Sequence, residues 1–594
     1  MSYRRKKLLA LFFAMALSMT AVAGCTGAKS STGNVVSSET ETNAEETSAQ
    51  SEAGTFSSAD MFTERDLAGT YEESGAVYVT LSDDGIAGET DGVVIDGQMV
   101  TITAEGTYIF SGTLSEGQIV VDADNAKVQI VFDNVDITCA SSAAVYVKSA
   151  EKVFVTLAEG SQNKLRNTDE YVAIDDNNID AVIFAKSDLT LNGTGSLTII
   201  SAEGHGIVSK DDLKIIGGTY DITAAGHALS GKDSVRIADG TFILTAEKDG
   251  IHAENADDEE KGYIYIADGD FTITSDGDGM DASNIVQIED GTFDITAGGG
   301  AANSLKTHES DVPGGPGGGM PQNGEKLDGE SMPQMGEKPD GENMPQDTTT
   351  DESGTSTKGI KAGGGMYLNG GTYQIDSADD SIHSNANITI ADGTYTLATG
   401  DDGVHADDAL IVNGGTITVT ESYEGLEGLA VTINDGTIDI TASDDGINTA
   451  GEKMELNGGY IHILAGGDGV DSNGDLTING GEIYIDGPSD NGNSAIDYGD
   501  RSSAYVNGGT LVAIGSSGMA EVMSDSSKQK VLMVKLGEQM EAGNVVLTDS
   551  EGNVIVSYTA LKSYDCVIIS TAEVESGATY TLTTSGTTTE VTAE

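Results

Sequence analysis

The sequence predicts an all-β protein built as a parallel β-helix, a solenoid of short strands. Gly accounts for 78 of 594 residues, Trp is absent and only 7 residues are Pro. This composition is typical of many short strands joined by tight turns. From residue 195 onward, a turn glycine followed by an alternating strand recurs about every 22 residues. Three strands and their turns fill one such repeat, which is the size of one β-helix coil, whereas a propeller blade needs about 40 residues.

The chain begins with a pattern typical of a targeting segment. Four basic residues, Arg4 to Lys7, precede an apolar stretch that is too short to span a membrane comfortably. Val22-Ala23-Gly24-Cys25 resembles a bacterial lipobox, and the alternative is an ordinary secretory signal. The resemblance implies a signal peptide over residues 1–24 and lipidation of Cys25. We therefore expect an extracellular protein on the cell envelope, in contact with the membrane only through its lipid anchor.

Composition divides the rest of the chain into three parts. Residues 25–77 are rich in Ser, Thr and Glu and are predicted to be a disordered tether. Residues 78–525 carry the strand repeat and are predicted to form the β-helix. Within them, residues 303–358 contain six of the seven prolines and are predicted to be a flexible insertion. Residues 526–594 have longer alternating strands, which predict a small C-terminal β cap or β-sandwich over the open solenoid end.

The charge of the chain is strongly negative. Asp and Glu number 97 against 29 Lys and Arg, which gives a formal net charge of −68. This balance argues against nucleic-acid binding, which needs clusters of Lys and Arg, and it favours cation binding. Cys139 and Cys566 lie far apart with no metal-binding spacing, so we expect both to be unpaired and buried.

The coil period aligns side chains into columns. One column of Tyr, Phe and Ile, beginning at Tyr220, alternates with polar residues and is predicted to be inward-facing core rather than a sugar platform. A second turn of each coil aligns Asp-Gly pairs, so carboxylates about 4.8 Å apart would repel each other. They could splay into solvent, hold protons, or be bridged by divalent cations.

Oxygen-rich turns of this kind have the ligand set that Ca²⁺ prefers. The alternative is that Asp-Gly simply makes good surface turns. We expect calcium in this array, and a second acidic cluster at residues 173–180 is a further candidate. The candidate calcium ligands are Asp249, Asp278, Asp281, Asp380, Asp401, Asp402, Asp444, Asp445, Asp468 and Asp471.

A column of lysines runs against the general acidity. The segments around Lys148, Lys186, Lys210 and Lys232 align, and the last three each have Asp one or two residues on. One interpretation is a structural ladder of ion pairs with those Asp residues. The other is a strip that binds an anionic or hydroxyl-rich polymer, for which Arg236 is a further candidate residue.

The stretches "GQIVVDADNAKVQIVFDNVDIT", "AAVYVKSAEKVFVTLAEGSQN" and "HGIVSKDDLKIIGGTYDIT" closely resemble a bacterial family of carbohydrate-binding β-helix lipoproteins. That family is related in fold to polysaccharide lyases. The resemblance runs from about residue 75 to the C-terminus, interrupted by the Pro-rich insertion. It implies a right-handed parallel β-helix that binds Ca²⁺ and plant cell-wall polysaccharide, with polygalacturonate and cellulose as candidate ligands.

Three functions are compatible with the sequence. The first is a non-catalytic, calcium-dependent polysaccharide-binding surface protein, which we expect to be monomeric. The second is a calcium-dependent lyase, for which Lys210 or Lys232 with Arg236 are the only plausible groups. The third is an adhesin or a structural spacer in which the solenoid is only a rod.

Overall fold

The computed structural model of the chain describes residues 55–306, 356–499 and 501–593. These residues are nearly all β, with two short helices and one 3-10 turn at Ala301–Asn303. Strands pair in parallel with the equivalent strand of the next coil over most of the molecule. The prediction of an all-β parallel β-helix is therefore confirmed.

The first described elements are two short helices and six strands that lead into the regular coils. They are α1 (Ser58–Met61), α2 (Glu64–Ala68), β1 (Val77–Leu81), β2 (Val93–Asp96), β3 (Met99–Ile102), β4 (Gly106–Leu114), β5 (Gln118–Asp122) and β6 (Lys127–Thr138). β2 and β3 form an antiparallel hairpin, β3 pairs with β5 in parallel, and β4 pairs with β1 and β6 in parallel. The parallel stacking thus begins within this segment.

The regular coils follow, each with three strands except where two strands have merged into one. They comprise β7 (Val145–Ser149), β8 (Lys152–Leu157), β9 (Gln162–Asn167), β10 (Ala181–Ala185), β11 (Asp188–Gly193), β12 (Ser196–Ser201), β13 (His205–Ser209), β14 (Asp212–Ile215), β15 (Thr219–Ala224), β16 (Leu229–Gly231), β17 (Ser234–Ile237), β18 (Thr241–Ala246), β19 (Ile251–Ala253), β20 (Tyr263–Ile266), β21 (Asp270–Ser275), β22 (Met280–Ala282), β23 (Val286–Ile288) and β24 (Thr292–Ala297). After the 3-10 turn they continue as β25 (Ile360–Ala362), β26 (Met366–Leu368), β27 (Thr372–Ser377), β28 (Ile382–Ser384), β29 (Ile388–Ile390), β30 (Thr394–Thr399), β31 (Val404–Val412), β32 (Thr416–Glu421), β33 (Leu426–Ile433), β34 (Thr437–Ala442), β35 (Ile447–Thr449), β36 (Met454–Leu456), β37 (Tyr460–Ala465), β38 (Val470–Ser472), β39 (Leu476–Ile478), β40 (Glu482–Asp486), β41 (Ile496–Tyr498), β42 (Ala504–Val506) and β43 (Thr510–Gly515).

These strands form three parallel ladders. Ladder 1, which carries the candidate site, consists of β7, β10, β13, β16, β19, β22, β25, β28, the first parts of β31 and β33, β35, β38 and β41. The ladder that contains β8 and β42 is ladder 2, and the ladder that contains β9 and β43 is ladder 3. Because side chains alternate across each strand, one half of them points into the solenoid and the other half points outward.

The interior is a continuous column of apolar side chains. On ladder 3, the Tyr220 ring stacks on Phe242, and the stack continues through Phe271, Phe293 and Tyr373 to Tyr395, with ring centroids 4.6 to 5.2 Å apart. Ile417 and Ile438 extend the column in register. All of these side chains are buried, so the predicted core column is confirmed.

The prediction that residues 25–77 form a disordered tether is wrong for the part that the structure describes. Residues 55–76 contain α1 and α2 and lie against the coils. The Asp66 side chain is fully buried, with Lys152 Nζ 2.6 Å and Thr190 Oγ1 2.8 Å from its Oδ1 atom. Thr63 and Asp66 form a capping box that starts α2. These specific polar contacts offset the low apolar content that had predicted disorder.

The C-terminal residues form antiparallel strands at the end of the solenoid. They are β44 (Leu532–Met540), β45 (Gly543–Thr548), β46 (Val554–Ala560), β47 (Tyr564–Ser570), β48 (Thr579–Thr584) and β49 (Thr587–Thr592). β47 pairs with β43 of the last coil, and β45, β46, β48 and β49 form a separate four-stranded sheet. The open strand edge of ladder 3 is thereby covered.

Several predictions fall outside the described residues. They are the signal peptide at residues 1–24, Cys25, the part of the tether before residue 55, and residues 307–355 of the predicted insertion. Of the helices that are described, none is long and apolar enough to cross a membrane. Cys139 and Cys566 are both buried and unpaired, as expected.

Candidate functional site

Two rows of side chains line one edge of ladder 1, in the places that the aligned turns predict. The bend row lies at the turn before each strand, and the face row lies three residues later on the outer face of the strand. The bend row contains His227, Asp249, Asp278, Lys358, Asp380, Asp402, Glu424, Asp445, Asp468 and Ser494. The face row contains Tyr146, Phe184, Val208, Ser230, His252, Asp281, Lys361, His383, His405, Glu427, Asn448, Asp471 and Asp497.

The Asp side chains of the bend row have a structural task that the sequence analysis did not identify. The Oδ1 atom of Asp249 accepts the backbone N–H of Asp278 at 3.0 Å, one coil on. Asp380 Oδ1 accepts the Asp402 N–H at 3.1 Å, and Asp445 Oδ1 accepts the Asp468 N–H at 2.6 Å. One carboxylate oxygen therefore holds the next bend in place, and the other, Oδ2, is left to face the edge.

The bend row is not acidic throughout. One coil is basic, and the sequence analysis missed it. Residues 358–361 read Lys-Gly-Ile-Lys and occupy the bend and face rows between Asp278 and Asp380. Lys358 Nζ lies 2.6 Å from Asp380 Oδ2, and Lys361 Nζ lies 3.4 Å from the nearest oxygens of Asp278 and Asp281. This coil follows the Pro-rich insertion, so the long gap in the repeat concealed it.

Other cations neutralise the central carboxylates. Lys306 Nζ lies 2.7 Å from Asp379 Oδ1 and also contacts Asp401 Oδ2. Burial and the neighbouring Asp402 raise the pKa of Asp401 to about 9, although Lys306 opposes the shift. Burial by itself would raise the pKa of Asp380. Lys358 and His383 outweigh burial and hold this pKa well below its usual range. These predicted calcium ligands thus lie within a buried ion-pair network.

Histidines pair with carboxylates on both sides of this network. His405 Nδ1 lies 2.9 Å from both Asp402 Oδ2 and Glu427 Oε2. His227 Nδ1 and His252 Nδ1 lie 3.0 and 2.9 Å from Asp249 Oδ2. Burial lowers the pKa of His227, whereas Asp249 and Asp281 overcome burial and raise the pKa of His252 to about 10.

The C-terminal end of the rows differs, because its carboxylates lack such partners. Carboxylate oxygens of Asp445, Asp468 and Asp471 lie within 4.8 Å of one another. Over the described ranges, none of the three forms an ion pair with Lys, Arg or His. Burial and neighbouring carboxylates, including Asp444 for Asp445, raise their pKa values to about 8 for Asp445, 7 for Asp468 and 6 for Asp471.

Two further features suit this cluster to a cation bound by oxygen atoms. A Cβ atom at Gly467 would lie 2.2 Å from Asp444 Oδ1 and 2.4 Å from Asp445 Oδ1, so glycine leaves that space clear. Asn448, which is paired with Asp471 across the ladder, has a buried Oδ1 atom without a hydrogen-bond partner in the part of the chain that is described. Several converging oxygens without a protein cation are the arrangement that Ca²⁺ prefers.

The lysine column lies on the same outer face, two residues beyond the face row. Lys148, Lys186, Lys210 and Lys232 follow equivalent residues of β7, β10, β13 and β16. Lys148 contacts Asp122 at 2.7 Å and Lys232 contacts Asp257 at 2.8 Å. The ion-pair interpretation paired Lys232 with Asp233, so that pairing is wrong, and it named no partner for Lys148.

Lys186 and Lys210 are the exposed members of the lysine column that form no ion pair with any described residue. Lys210 Nζ lies 5.4 Å from the centre of the Phe184 ring on the same face. Arg236 does not join the column, because it belongs to β17 of ladder 2 and contacts Asp212 Oδ2 at 2.9 Å. The acidic stretch at residues 173–180 has a partner outside it, since Asp175 accepts a hydrogen bond from the Tyr146 hydroxyl at 2.7 Å.

Comparisons show that the chain is similar to known proteins. The profile of a family described as "carbohydrate-binding domain-containing protein" matches residues 96–403 and 401–580, more than half of the chain. A protein of Acetivibrio thermocellus with the same description is 40% identical over 139 residues, which are 23% of this chain and 49% of that protein. The chain thus matches about half the length of that curated relative.

A solved structure is also similar in part. It is described as the polysaccharide lyase-like protein from C. thermocellum in a gadolinium derivative. It is 36% identical, covers 38% of this chain and 92% of its own, and has a TM-score of 0.37. Together with a parallel β-helix whose outer face carries lysines and carboxylates, the match over both profile segments assigns the chain: it belongs to the family of carbohydrate-binding domain-containing proteins.

Proposed function

We propose that this protein is a non-catalytic, lipid-anchored surface protein that binds an acidic plant cell-wall-type polysaccharide, such as polygalacturonate, along ladder 1. The observation that carries the proposal is the continuity of one face. The lysine column occupies its first coils and the unpaired Asp445, Asp468 and Asp471 cluster occupies its last coils. At about 4.8 Å per coil, the face spans on the order of 50 Å, which suits a linear polymer.

The two ends of this face would bind the same polymer by different means. Exposed ammonium groups at Lys186 and Lys210 would contact uronate carboxylates directly. At the other end, Ca²⁺ held by Asp445, Asp468 and Asp471, with the Asn448 carbonyl oxygen nearby, would bridge protein carboxylates to polymer carboxylates. Calcium would thus let a chain with a net charge of −68 accept an acidic ligand.

The experiment is retention on immobilised polygalacturonate, with cellulose tested in parallel, in buffer containing calcium and then in chelator. We expect retention in calcium and loss of at least tenfold in chelator. The double variant Lys186→Ala, Lys210→Ala should be retained less in both buffers. Lys164→Ala is the matched control, because Lys164 is also exposed but lies on ladder 3.

The same polygalacturonate assay distinguishes the proposal from a lyase and from an adhesin or structural spacer. Release of unsaturated uronate, followed by its absorbance, would favour a lyase and contradict the non-catalytic part of the proposal. The arrangement offers a lyase little support, because Arg236 is held by Asp212 and does not accompany Lys210 or Lys232. If no polysaccharide is retained with or without calcium, the proposal fails and a structural spacer or adhesin is favoured.

A further inference from the structure

The outer face of ladder 3 changes character in its last coils. The first residue of the strand is Thr in β15, β18, β24, β27, β30, β32 and β34. In contrast, β37 begins with Tyr460 and β40 begins with Glu482, in register with Thr437 of β34. The Tyr460 side chain is 42% exposed. At this coil, a small hydroxyl side chain is thus replaced by a large aromatic ring that is open to solvent.

The ring of Tyr460 is the first of three tyrosine rings that continue into the C-terminal cap. The ring centroids of Tyr460 and Tyr484 lie 5.7 Å apart, with their planes tilted by 42°. Tyr484 stacks on Tyr558 of β46, with centroids 5.2 Å apart and planes within 13°. The Tyr558 hydroxyl donates to the buried Asp486, which also accepts the Leu561 N–H at 2.8 Å. The cap therefore holds the two inner rings, and Tyr460 extends them into solvent.

Polar groups lie beside these rings. His462 pairs with Tyr484 across the ladder, and its Nδ1 atom lies 2.8 Å from Asp439 Oδ1. Glu482 is exposed and follows Tyr460 in register on the next coil. Neither the Glu482 carboxylate nor the Tyr460 hydroxyl forms a hydrogen bond or an ion pair within the described ranges. Both groups are therefore available to a ligand.

An aromatic ring beside free polar groups suits a sugar. A pyranose ring has an apolar face of C–H groups, which packs on an aromatic side chain, and a rim of hydroxyl groups. Those hydroxyl groups can donate hydrogen bonds to a carboxylate and exchange them with an imidazole. Binding sites for small molecules commonly combine aromatic surface with a few such polar groups.

The charge of this surface restricts the class of sugar. The carboxylates of Asp439, Glu482 and Asp486 surround the single imidazole of His462. Even a protonated imidazole leaves the group with a net negative charge. A uronate would be repelled by these carboxylates, whereas an uncharged sugar would not. The surface therefore favours a neutral sugar, in contrast to the lysine column of ladder 1.

We propose that Tyr460, His462, Glu482 and Tyr484 form a second sugar-binding site, which takes the pyranose rings of a neutral oligosaccharide without calcium. The site is separate from the unpaired acidic cluster, because Tyr460 begins β37 and Asp468 follows the end of that strand. The inference goes beyond the proposed function, which concerns an acidic polymer on ladder 1. With both sites, the protein would contact two chemically different polymers on two of its faces.

The test is calorimetric titration of the purified full chain in EDTA with cellohexaose, xylohexaose and mannohexaose. We expect at least one of the three to bind, and Tyr460→Ala to lower its affinity at least tenfold. Tyr460→Phe should keep most of the affinity, because the ring remains. Tyr78→Ala is the matched control, since Tyr78 is 56% exposed but lies on β1. The proposal is overturned if none of the three binds, or if Tyr460→Ala binds as tightly as the unmodified chain.

Two further measurements separate this site from the fold and from ladder 1. Glu482→Gln keeps the shape of an exposed side chain and should weaken binding of the neutral oligosaccharide severalfold, with an unchanged melting temperature. Hexagalacturonate in EDTA should not displace the neutral oligosaccharide, and displacement would contradict the charge argument. Retention on polygalacturonate in calcium should be unchanged in Tyr460→Ala, so failure of this site and failure of the proposed function can be distinguished.

Discussion

At the scale of single residues, the central feature is the division of work between the two oxygens of each bend-row aspartate. In Asp445 and Asp468, Oδ1 accepts a backbone N–H of the next coil, whereas Oδ2 has no hydrogen-bond donor among the described residues. A change to asparagine keeps an oxygen acceptor and removes the charge. Substitution can therefore separate the structural task of these residues from cation binding.

We expect Asp468→Asn to fold but to lose most of the stabilisation that calcium gives. A ligand that binds only the folded state at 100 times its Kd stabilises it by about 2.7 kcal/mol. The measurement is the melting temperature with calcium and with EDTA. Asp392→Asn is the control, because Asp392 sits in an exposed Asp-Gly turn away from the cluster. Equal calcium-induced shifts in both variants would contradict the assignment.

Gly467→Ala tests whether the cluster needs the free space beside its carboxylates. Its new Cβ atom would fall within 2.4 Å of oxygens from Asp444 and Asp445 and would force those carboxylates to move. We expect calcium affinity to fall by at least tenfold, measured by calorimetric titration. Gly217→Ala is the control, because its new Cβ atom would meet only the Gly193 carbonyl oxygen at an ordinary distance of 3.5 Å. Unchanged affinity in Gly467→Ala would show that those oxygens do not bind the ion.

At the scale of elements, the coil that contains β25 supplies basic side chains to the acidic edge of ladder 1. Lys358 and Lys361 compensate the carboxylates next to them, and Lys306 compensates Asp379 and Asp401. A buried ion pair gives little net stability by itself, but removal of one partner leaves an uncompensated charge. The central coils should therefore respond to substitution as scaffold rather than as a cation site.

Asp380→Ala should lower the free energy of unfolding by about 3 to 5 kcal/mol, because it leaves Lys358 without its closest partner and the Asp402 N–H without an acceptor. Asp380→Asn keeps an acceptor and should cost less. Urea denaturation in EDTA measures both. If the two variants are equally unstable, the hydrogen bond to the next coil contributes nothing and the division of work between the oxygens is wrong.

The sequence was sufficient to predict the coil period and the inward column from Tyr220 to Tyr395, because both depend on local alternation that recurs at constant spacing. It also placed Asp249 and Asp468 in one row. It failed at Lys358 and Lys361, although the Lys-Gly-Ile-Lys pattern matches the other bends, because alignment on acidic turns excluded a basic one. Cation partners such as Lys306 come from irregular segments, so no repeat could have predicted them.

At the scale of the whole molecule, one face carries a lysine column, a histidine and lysine network and an unpaired acidic cluster in succession. The stacking of coils converts sequence order into position along that face. Electrostatic properties therefore change along the solenoid, while the apolar interior stays constant. Screening by salt acts more on the exposed Lys186 and Lys210 than on the buried central network.

The unpaired acidic cluster makes stability depend on pH when no cation is bound. The pKa values of Asp445, Asp468 and Asp471 are raised by burial to about 8, 7 and 6, from a reference value of 3.8. Above pH 3.8 and below those values, the folded state holds more protons than the unfolded state, so stability falls as pH rises. In EDTA, we expect the melting temperature to decrease between about pH 5 and pH 8.

Calcium should suppress that decrease, because the bound ion stabilises the ionised carboxylates. The measurement is a series of thermal melts across this pH range, with calcium and with EDTA, on the unmodified chain and on Asp468→Asn. The variant should have a shallower slope in EDTA, since one of the raised carboxyl groups is absent. A slope in EDTA that is flat or rises with pH would contradict burial of unpaired carboxyl groups at this end.

Most bend-row side chains accept a backbone N–H of the next coil, and this arrangement has a consequence for how such a protein can diversify. The oxygen that fixes coil spacing is not the one that meets the solute, so the solute-facing chemistry can be exchanged at one step without disturbing the steps beside it. His227, through Nδ1, accepts the Asp249 N–H at 3.2 Å, so an imidazole can take the same place. The solenoid is thus a scaffold on which the side chain that faces the solute can differ from one coil to the next while the spacing of the coils stays the same.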